Sequence, residues 1–575
     1  MTFLNRARFS VTVAGIVWLL LVTRLFQIQF WQMDQFAERA VRQRDFSEEI
    51  IPRPGDVFDR QDRLIATTIT MRSLYLVPSQ ISKPWSVAQT LAETLGIESD
   101  PLFEKIGGRD DRHFLWVKRR LNSTEVEKVK LLNLPHGAWG FRDEYRREYP
   151  QGVVAAHVLG LRDVDGVGRG GVEEGLDHVL RGRIGRRMLS RDSRGRVIEI
   201  RDDAQHPLKN GESVRLSLDL VVQLFVEKEL DQIMSTWKPE SCCAIVLDPK
   251  TGDVLAMANR PTFDPSQIEE ATPESWKNRA IADIYEPGST FKPFLVSYGL
   301  DQNVLHKDDV FNCEYGKYQM GRRLLHDHHP YGVLNLTDVL VKSSNIGMAK
   351  IGQRMTNKLL FEAATLFGFG RKTGIELPGE LTGILRPLEQ WTSYSTGSIP
   401  MGHEIATTPL QLIVAHAALA NRGQLIRPRI VRSDNDDPFS AIRSIAETTV
   451  GIETARWLIE GPMHEVVTRG TGKRAQIPGY DVFGKTGTAQ CLSPNGGYVH
   501  GKYISSFVCG APVNDPRLLV LVVVNQSTLG GEAFGGKVAA PAAAQILKQS
   551  LVYLRIRPDG ELLNVTHNRR ENELD

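Results

Sequence analysis

Tyr285-Glu-Pro-Gly-Ser-Thr-Phe-Lys-Pro-Phe294 is the stretch on which the fold turns. Pro287-Gly288 is a turn signal, so Ser289 begins a helix. Lys292, three residues on, then lies one turn later on the same face. Serine is a poor nucleophile at neutral pH and needs a base within hydrogen-bond reach. A lysine can be that base only when neutral, and burial beside a second cation lowers its pKa. A helix start also offers backbone N–H groups and a positive dipole end to an oxyanion. Two further motifs follow in order: Ser343-Ser344-Asn345, 54 residues from serine to serine, and Lys485-Thr486-Gly487-Thr488, another 142 residues from Ser343 to Lys485. Ser343 can relay a proton to a leaving amine, and Asn345 can orient Lys292 and a substrate amide. Lys485, on an exposed strand, is the neighbouring cation. With the hydroxyls of Thr486 and Thr488 it suits a substrate carboxylate. Gly487 lets an extended substrate pair along that strand without a side-chain clash.

Each motif alone is weak. Lys-Thr-Gly occurs three times, at Lys250–Gly252, Lys372–Gly374 and Lys485–Gly487. The first sits in the turn of a hairpin spanning Ala244–Ala258 and reads as turn chemistry. The second lies in a glycine-rich loop, Phe367–Glu380. Only the third begins a strand that can pair, with Ile504–Val513 as partner, and it follows the other two motifs in order. The conjunction resembles the penicillin-binding protein superfamily. Flanking text agrees: Asn278-Arg-Ala280, Gly402, Thr407-Thr-Pro-Leu-Gln411, Ala420-Asn-Arg-Gly423 and Gly530–Pro541 look like the class B transpeptidases of cell-wall synthesis. Upstream, Arg53-Pro-Gly-Asp-Val-Phe-Asp-Arg60, His157-Val-Leu-Gly160 and Gly171-Val-Glu173 resemble that class's pedestal motifs. Two positions depart from the pattern. Pro54 stands where Arg is usual, and Asp62 where Gly is usual.

The resemblance implies an α+β, serine β-lactamase-like transpeptidase domain, an antiparallel sheet with a helical subdomain, on a mixed pedestal. It implies a D,D-transpeptidase. Ser289 attacks the penultimate D-Ala carbonyl of a peptidoglycan stem peptide (ending in D-Ala-D-Ala), terminal D-Ala leaves, and a second strand's amine resolves the acyl-enzyme. The catalytic set is Ser289, Lys292, Ser343, Asn345 and Lys485; Thr486, Gly487 and Thr488 bind substrate, with Thr488 giving the second oxyanion N–H. The chemistry needs no cofactor or metal. β-Lactams become covalent inhibitors. A membrane glycosyltransferase of the FtsW type and other division proteins are the implied partners. Glu286 before Pro287 resembles the division (FtsI-type) branch; the alternatives are an elongation-type transpeptidase and a non-catalytic β-lactam sensor or scaffold. A β-lactamase would be about half this length, with a Glu-x-x-x-Asn after Ser343-Ser-Asn345. A bifunctional enzyme would need a glycosyltransferase domain that residues 32–235 are too short to hold.

Working outward from the motifs, strand candidates at Tyr480–Thr488, Ile504–Val513 and Leu518–Asn525 join the early hairpin in one sheet. Helical pattern lies between, at Thr290–Leu300, Leu336–Met355, Leu359–Phe367, Thr408–Asn421 and Ile452–Val467, and a last helix covers Pro541–Leu554. The expected division is anchor and juxtamembrane helix over 1–45, pedestal over 46–235, transpeptidase domain over 236–555 and charged tail over 556–575. Residues 32–50 read as an amphipathic continuation of the anchor, and Arg181–Arg196 as a solvated hairpin.

The anchor itself is the apolar run from Phe9 to Trp31, preceded by Arg6 and Arg8. As a helix it reaches roughly 34 Å, enough for a bilayer core of about 30 Å. No small-x-small cleavage site follows it, which favours an uncleaved signal anchor over a signal peptide. Arg6 and Arg8 place the N-terminus in the cytoplasm of a bacterial inner membrane and the catalytic domain outside. Composition excludes other classes. The chain has 575 residues, too many for one domain, and a mean hydropathy of −0.23, too low for a polytopic membrane protein. A net charge of +2 leaves no electrostatic footprint for nucleic acid. Five cysteines form no disulfide framework, and adjacent Cys242 and Cys243 on a strand point to opposite faces. The cluster His326-Asp-His-His329 reads as a polar loop rimming the cleft in preference to a zinc site.

Overall fold

The computed structural model of the chain describes residues 3–108, 114–191, 197–432, 447–492, 497–527 and 534–559. The charged tail lies outside them from residue 560 onward, as do residues 192–196 of the Arg-rich hairpin and 530–533 ahead of the last helix. Two compact units emerge, Met1–Pro54 with Arg181–Glu212, and Gly55–Leu180 with Ser213–Asp575.

In the first unit, helix Phe3–Phe26 passes through a π-helical turn, Gln27–Trp31, into helix Met33–Arg44. Ala7–Trp31 is apolar and long enough to cross a membrane. The amphipathic helix expected over 32–50 stops at Arg44. Asp45–Ile50 is instead a strand, antiparallel to Gly185–Arg191, which pairs in turn with Val197–Asp202. Register explains the switch: Glu48 faces Arg187 and Glu49 faces Arg186, so opposite charges meet across the strands.

In the second unit, the pedestal is organised by strand Leu64–Leu76, which pairs with Trp139–Glu148 and Leu115–Leu121. Helices Pro84–Leu95, Ser99–Gly107 and Ser123–Lys130 close its core around Leu74, Leu91, Ile106 and Val129. Asp59 ties the start of the pedestal to the helix that follows residue 219. Its fully buried carboxylate accepts Gln61 N and Arg63 N on Oδ1, and Leu220 N on Oδ2 at 3.1 Å. Leu220 opens helix α1 (Leu220–Trp237), so an anion meets a helix N-terminus. Asp62 has φ +61°, a left-handed conformation that Gly adopts freely and Asp tolerates. This explains how Asp62 serves where the family pattern has Gly. Its Oδ1 also pairs with Arg215.

The catalytic sheet is formed by β1 (Ser241–Leu247), β2 (Val254–Arg260), β3 (Phe483–Leu492), β4 (Tyr498–Ala511) and β5 (Leu518–Asn525), in the order β2-β1-β5-β4-β3 and antiparallel throughout. Every residue of β1 and β2 is buried, because helices cover both faces. Cys242 enters the core beneath α1 and the last helix, α5 (Gly535–Tyr553); Cys243 enters the core on the other side. All five cysteines are free and buried. The helices between the two strand groups are α2 (Lys292–Asp301), α3 (Asn345–Leu366, kinked at Thr356) and α4 (Pro409–Ala420), with shorter pieces. α4 is buried on every side, as its near-continuous apolar sequence requires.

Among the boundaries that differ from the periodicity reading, two bear on the site. Leu336–Met355 is not one helix. Helix Leu336–Val341 ends, Ser343 takes φ +58°, and α3 restarts at Asn345. The last helix begins at Gly535, with Pro541 inside it in place of the expected Pro541 start.

Candidate active site

Three segments carry the motif residues. A 3₁₀ turn, Gly288–Phe291, carries Ser289 and leads into α2, whose first residue is Lys292. Pro293 fits this first turn because its missing N–H would have no helical partner there. The break before α3 carries Ser343, Ser344 and Asn345. β3 carries Lys485 and pairs with β4, Lys485 facing Val508 and Thr488 facing Ser505. β3 is an edge strand of the sheet, as its expected role requires.

Lys292 is wholly buried. Its Nζ donates to Ser343 O at 2.7 Å, Asn345 Oδ1 at 2.9 Å, Ser343 Oγ at 3.2 Å and Ser344 O at 3.3 Å. Lys485 Nζ reaches the same Ser343 Oγ at 3.1 Å, so one hydroxyl bridges two amines. Burial pushes the Lys292 pKa down to about 7, against an upward pull from Asp327. Burial, and after it the charge of Lys292, hold Lys485 well below the usual lysine range. Burial thus lowers both amines, and the charge of Lys292 lowers Lys485 further. Ser289 is half-buried, in the turn that leads directly into Lys292. Lys485 is expected on an exposed strand. Phe483–Gly487 are instead all buried, and the amine lies against Ser343.

Thr486 and Thr488 turn away from Lys485, as alternation along a strand dictates. Thr486 Oγ1 lies 2.7 Å from Thr471 Oγ1, and Thr488 Oγ1 accepts from Gly535 N, at the start of α5. Gly487 has a reason the sequence did not disclose. A Cβ there would lie 2.3 Å from Ser506 Oγ, 2.9 Å from Thr290 and 3.0 Å from Pro287 O. The nucleophile turn needs that space.

The two other Lys-Thr-Gly segments lie elsewhere. Lys250 is in the β1–β2 turn, paired with Asp515. Lys372 is exposed, and its Thr373-Gly374 backbone is wrapped on the buried Glu380 carboxylate.

Several residues around the site carry no motif. Asp327 takes Ser344 Oγ at 2.6 Å and the backbone N–H groups of Asn345 and Ile346. The polar rim loop is thus part of the Ser-Ser-Asn support, while His328 stacks edge-on with Phe534. Glu286 holds His403 Nδ1 at 2.7 Å, Glu404 N at 2.9 Å and the Tyr498 hydroxyl at 3.0 Å. It ties the nucleophile's approach to β4. His416, deep in α4, sets Nε2 3.1 Å from Thr290 O, beside the nucleophile, and burial lowers its pKa to about 3. A lone histidine on an apolar helix was the only sequence signal for it.

Known proteins resemble the chain over most of its length. Residues 242–548 match the penicillin binding protein transpeptidase domain, and residues 49–216 the penicillin-binding protein dimerisation domain. The chain belongs to the penicillin-binding protein family. A dimerisation domain ahead of the transpeptidase domain gives this penicillin-binding protein the class B arrangement. The peptidoglycan D,D-transpeptidase FtsI of Escherichia coli is 32% identical over 510 residues, spanning 88% of this chain and 84% of that protein. Stage V sporulation protein D of Bacillus subtilis is 31% identical over 565 residues, 97% of this chain and 87% of that one. Among solved structures, penicillin binding protein 3 of Mycobacterium tuberculosis in complex with aztreonam superposes with a TM-score of 0.69 at 27% identity, covering 89% of this chain and 98% of its own.

Proposed function

We infer that this penicillin-binding protein is a serine peptidoglycan D,D-transpeptidase acting in septal wall synthesis. The observation that carries the inference is the shared hydroxyl: Ser343 Oγ lies within hydrogen-bond distance of both the Lys292 and Lys485 amines, and Ser289 lies in the turn that leads into Lys292. In this reading neutral Lys292 takes the Ser289 proton as Oγ attacks the penultimate D-Ala carbonyl. Ser343 passes a proton to the departing D-Ala amine. The acceptor amine then attacks the ester and returns its proton along the same path, restoring Ser289. The Thr486 and Thr488 hydroxyls, beside the start of α5, suit the stem-peptide carboxylate. Asn345 orients Lys292 and the peptide amide, and the N–H groups of Ser289 and Thr488 receive the oxyanion.

The proposal extends to topology and partners. Arg6 and Arg8 keep the N-terminus cytoplasmic, the Ala7–Trp31 helix stays in the membrane, and the catalytic domain works outside it. The partners are an FtsW-type glycosyltransferase and other division proteins. The working division remains anchor 1–45, pedestal 46–235, transpeptidase domain 236–555 and tail 556–575. Support for the septal role comes from Glu286 and from likeness to proteins named FtsI.

The test is intact-mass measurement after exposure to penicillin. One adduct per chain is expected, lost in Ser289→Ala; an adduct surviving in that variant refutes the nucleophile. Depletion in cells, read by microscopy, tests the role: filaments support division and rounded cells refute it.

A further inference from the structure

We propose that Asp327 is a positioning residue of the transpeptidase reaction: its carboxylate fixes the Ser343-Ser344-Asn345 turn and sets a negative charge facing the Lys292 amine. The proposal rests on the serine acyl-transfer reading above.

Asp327 follows the strand Arg323–His326, and both its oxygens are engaged. Oδ2 accepts the Ser344 hydroxyl at 2.6 Å, and that hydroxyl in turn accepts Gly347 N at 2.9 Å. Oδ1 accepts Asn345 N and, at 3.1 Å, Ile346 N. These N–H groups begin the 22-residue α3, so the anion sits where the helix leaves donors without helical partners and its dipole is positive. The adjoining His326 carbonyl accepts Asn345 Nδ2 at 3.2 Å, which turns Asn345 Oδ1 toward Lys292 at 2.9 Å. One two-residue segment therefore fixes both which way the amide points and where the turn lies. Ser343 needs such a fixture. Its φ of +58° is a conformation that a non-glycine residue holds only when its surroundings impose it.

The charge has a second effect. Lys292 must be neutral to accept the Ser289 proton and becomes an ammonium once it has done so. Asp327 is the anion that favours that ammonium. The other ionisable groups facing Lys292 are Lys485 from β3 and His328 from the same loop. Cys313 and Tyr331, which face Asp327, are held protonated by burial. The proton passes from Ser289 through Lys292 and Ser343 to the leaving amine, and Asp327 takes no part in the relay.

The experiment measures second-order acylation by a fluorescent penicillin against pH, with thermal melting, for the full-length wild type, Asp327→Asn and Asp327→Glu. In Asp327→Asn the acid limb moves to lower pH by about half a unit or more, since an opposing charge has been removed. The plateau falls roughly tenfold or more through lost charge-assisted hydrogen bonds. Asp327→Glu keeps the wild-type limb with a lowered plateau. A role as helix cap alone would lower the melting temperature and the rate at every pH and leave the limb in place; that result overturns the proposal. If Asp327→Asn does not fold, Asp327→Glu decides: a limb displaced from the wild-type position refutes the charge argument, and a wild-type plateau refutes the positioning argument. A wild type that forms no adduct, or keeps one in Ser289→Ala, removes the acyl-transfer reading itself. A wild type that acylates while the Asp327→Asn limb stays put removes only this proposal.

Discussion

Replacing Lys485 with Ala separates it from its two sequence look-alikes. Lys485 Nζ is wholly buried, 3.1 Å from Ser343 Oγ. Its charge is suppressed by burial and by Lys292. An arriving carboxylate, on penicillin or on a stem peptide, supplies the missing counter-charge and restores the ammonium. A hydrogen bond to a charged group in such a place is worth about 1.5–3 kcal/mol. At 1.4 kcal/mol per factor of ten, acylation should fall roughly ten- to a hundredfold. Lys250 makes an ion pair with Asp515, but their side chains are 42% and 54% exposed, and such pairs contribute about 0–1 kcal/mol to stability and nothing to a distant cleft. Lys372 is exposed in a loop held by Glu380. Either Ala variant should acylate within about twofold of wild type, as surface changes stay within about 0.5 kcal/mol. The assay is second-order acylation by a fluorescent penicillin, with folding checked by circular dichroism. Normal acylation in Lys485→Ala, with loss in Lys250→Ala or Lys372→Ala, would place the carboxylate site on the wrong strand.

Gly487→Ala should lower both acylation and melting temperature, at an overpacking cost of about 1–3 kcal/mol, because its Cβ would lie 2.3 Å from Ser506 Oγ; a variant that melts and acylates normally refutes the close packing of β3 on the nucleophile turn. His157 and His416 are buried neutral, with pKa values lowered to about 4 and about 3. Between those values and about 6.5 the unfolded chain binds protons that the native one refuses. Stability should therefore fall as pH drops through that window, by up to about 3 kcal/mol for His157 and about 5 kcal/mol for His416, and thermal melts of His416→Leu should show a weaker pH dependence; an unchanged slope counts against it. Mass mapping of the membrane-bound protein should recover peptides from before residue 25, whereas a start beyond about residue 25 would mean a cleaved signal peptide.

Most of the catalytic sheet was legible because its strands are buried on both faces. Continuous apolar runs bounded by Pro, Gly and Asn marked Leu518–Asn525 to the residue. The failures have a common cause: long-range pairing overrode local pattern. Asp45–Ile50 reads as more of the amphipathic helix until Gly185–Arg191 presents the opposite charges that make it a strand. Pro541 reads as a helix start, since proline favours the first turn. Nothing in the local sequence shows that Gly535 and Gly536 are already helical, pressed against the Gly487 carbonyl and the Thr471 carbonyl.

The site divides along the same line. The residues proposed to react, Ser289, Lys292, Ser343, Asn345 and Lys485, carry functional groups whose order along the chain is itself a signal, and the fold brings Lys292, Ser343, Asn345 and Lys485 together. Residues that hold them in place have no such order. Asp327 reaches Ser344 across 17 positions, His416 reaches Thr290 across 126, and Tyr498 reaches Glu286 across 212. Each is an ordinary polar residue whose role exists only once distant backbone is adjacent. The break at Ser343 sharpens the point. Periodicity makes Leu336–Met355 one helix, because Val339, Leu340, Ile346 and Met348 share a core. The helix is interrupted there because a carboxylate from another segment takes the N–H groups of Asn345 and Ile346. That interruption is what turns the Ser343 hydroxyl toward two lysines. A sequence motif names the groups that react, and the supporting contacts determine whether those groups can meet.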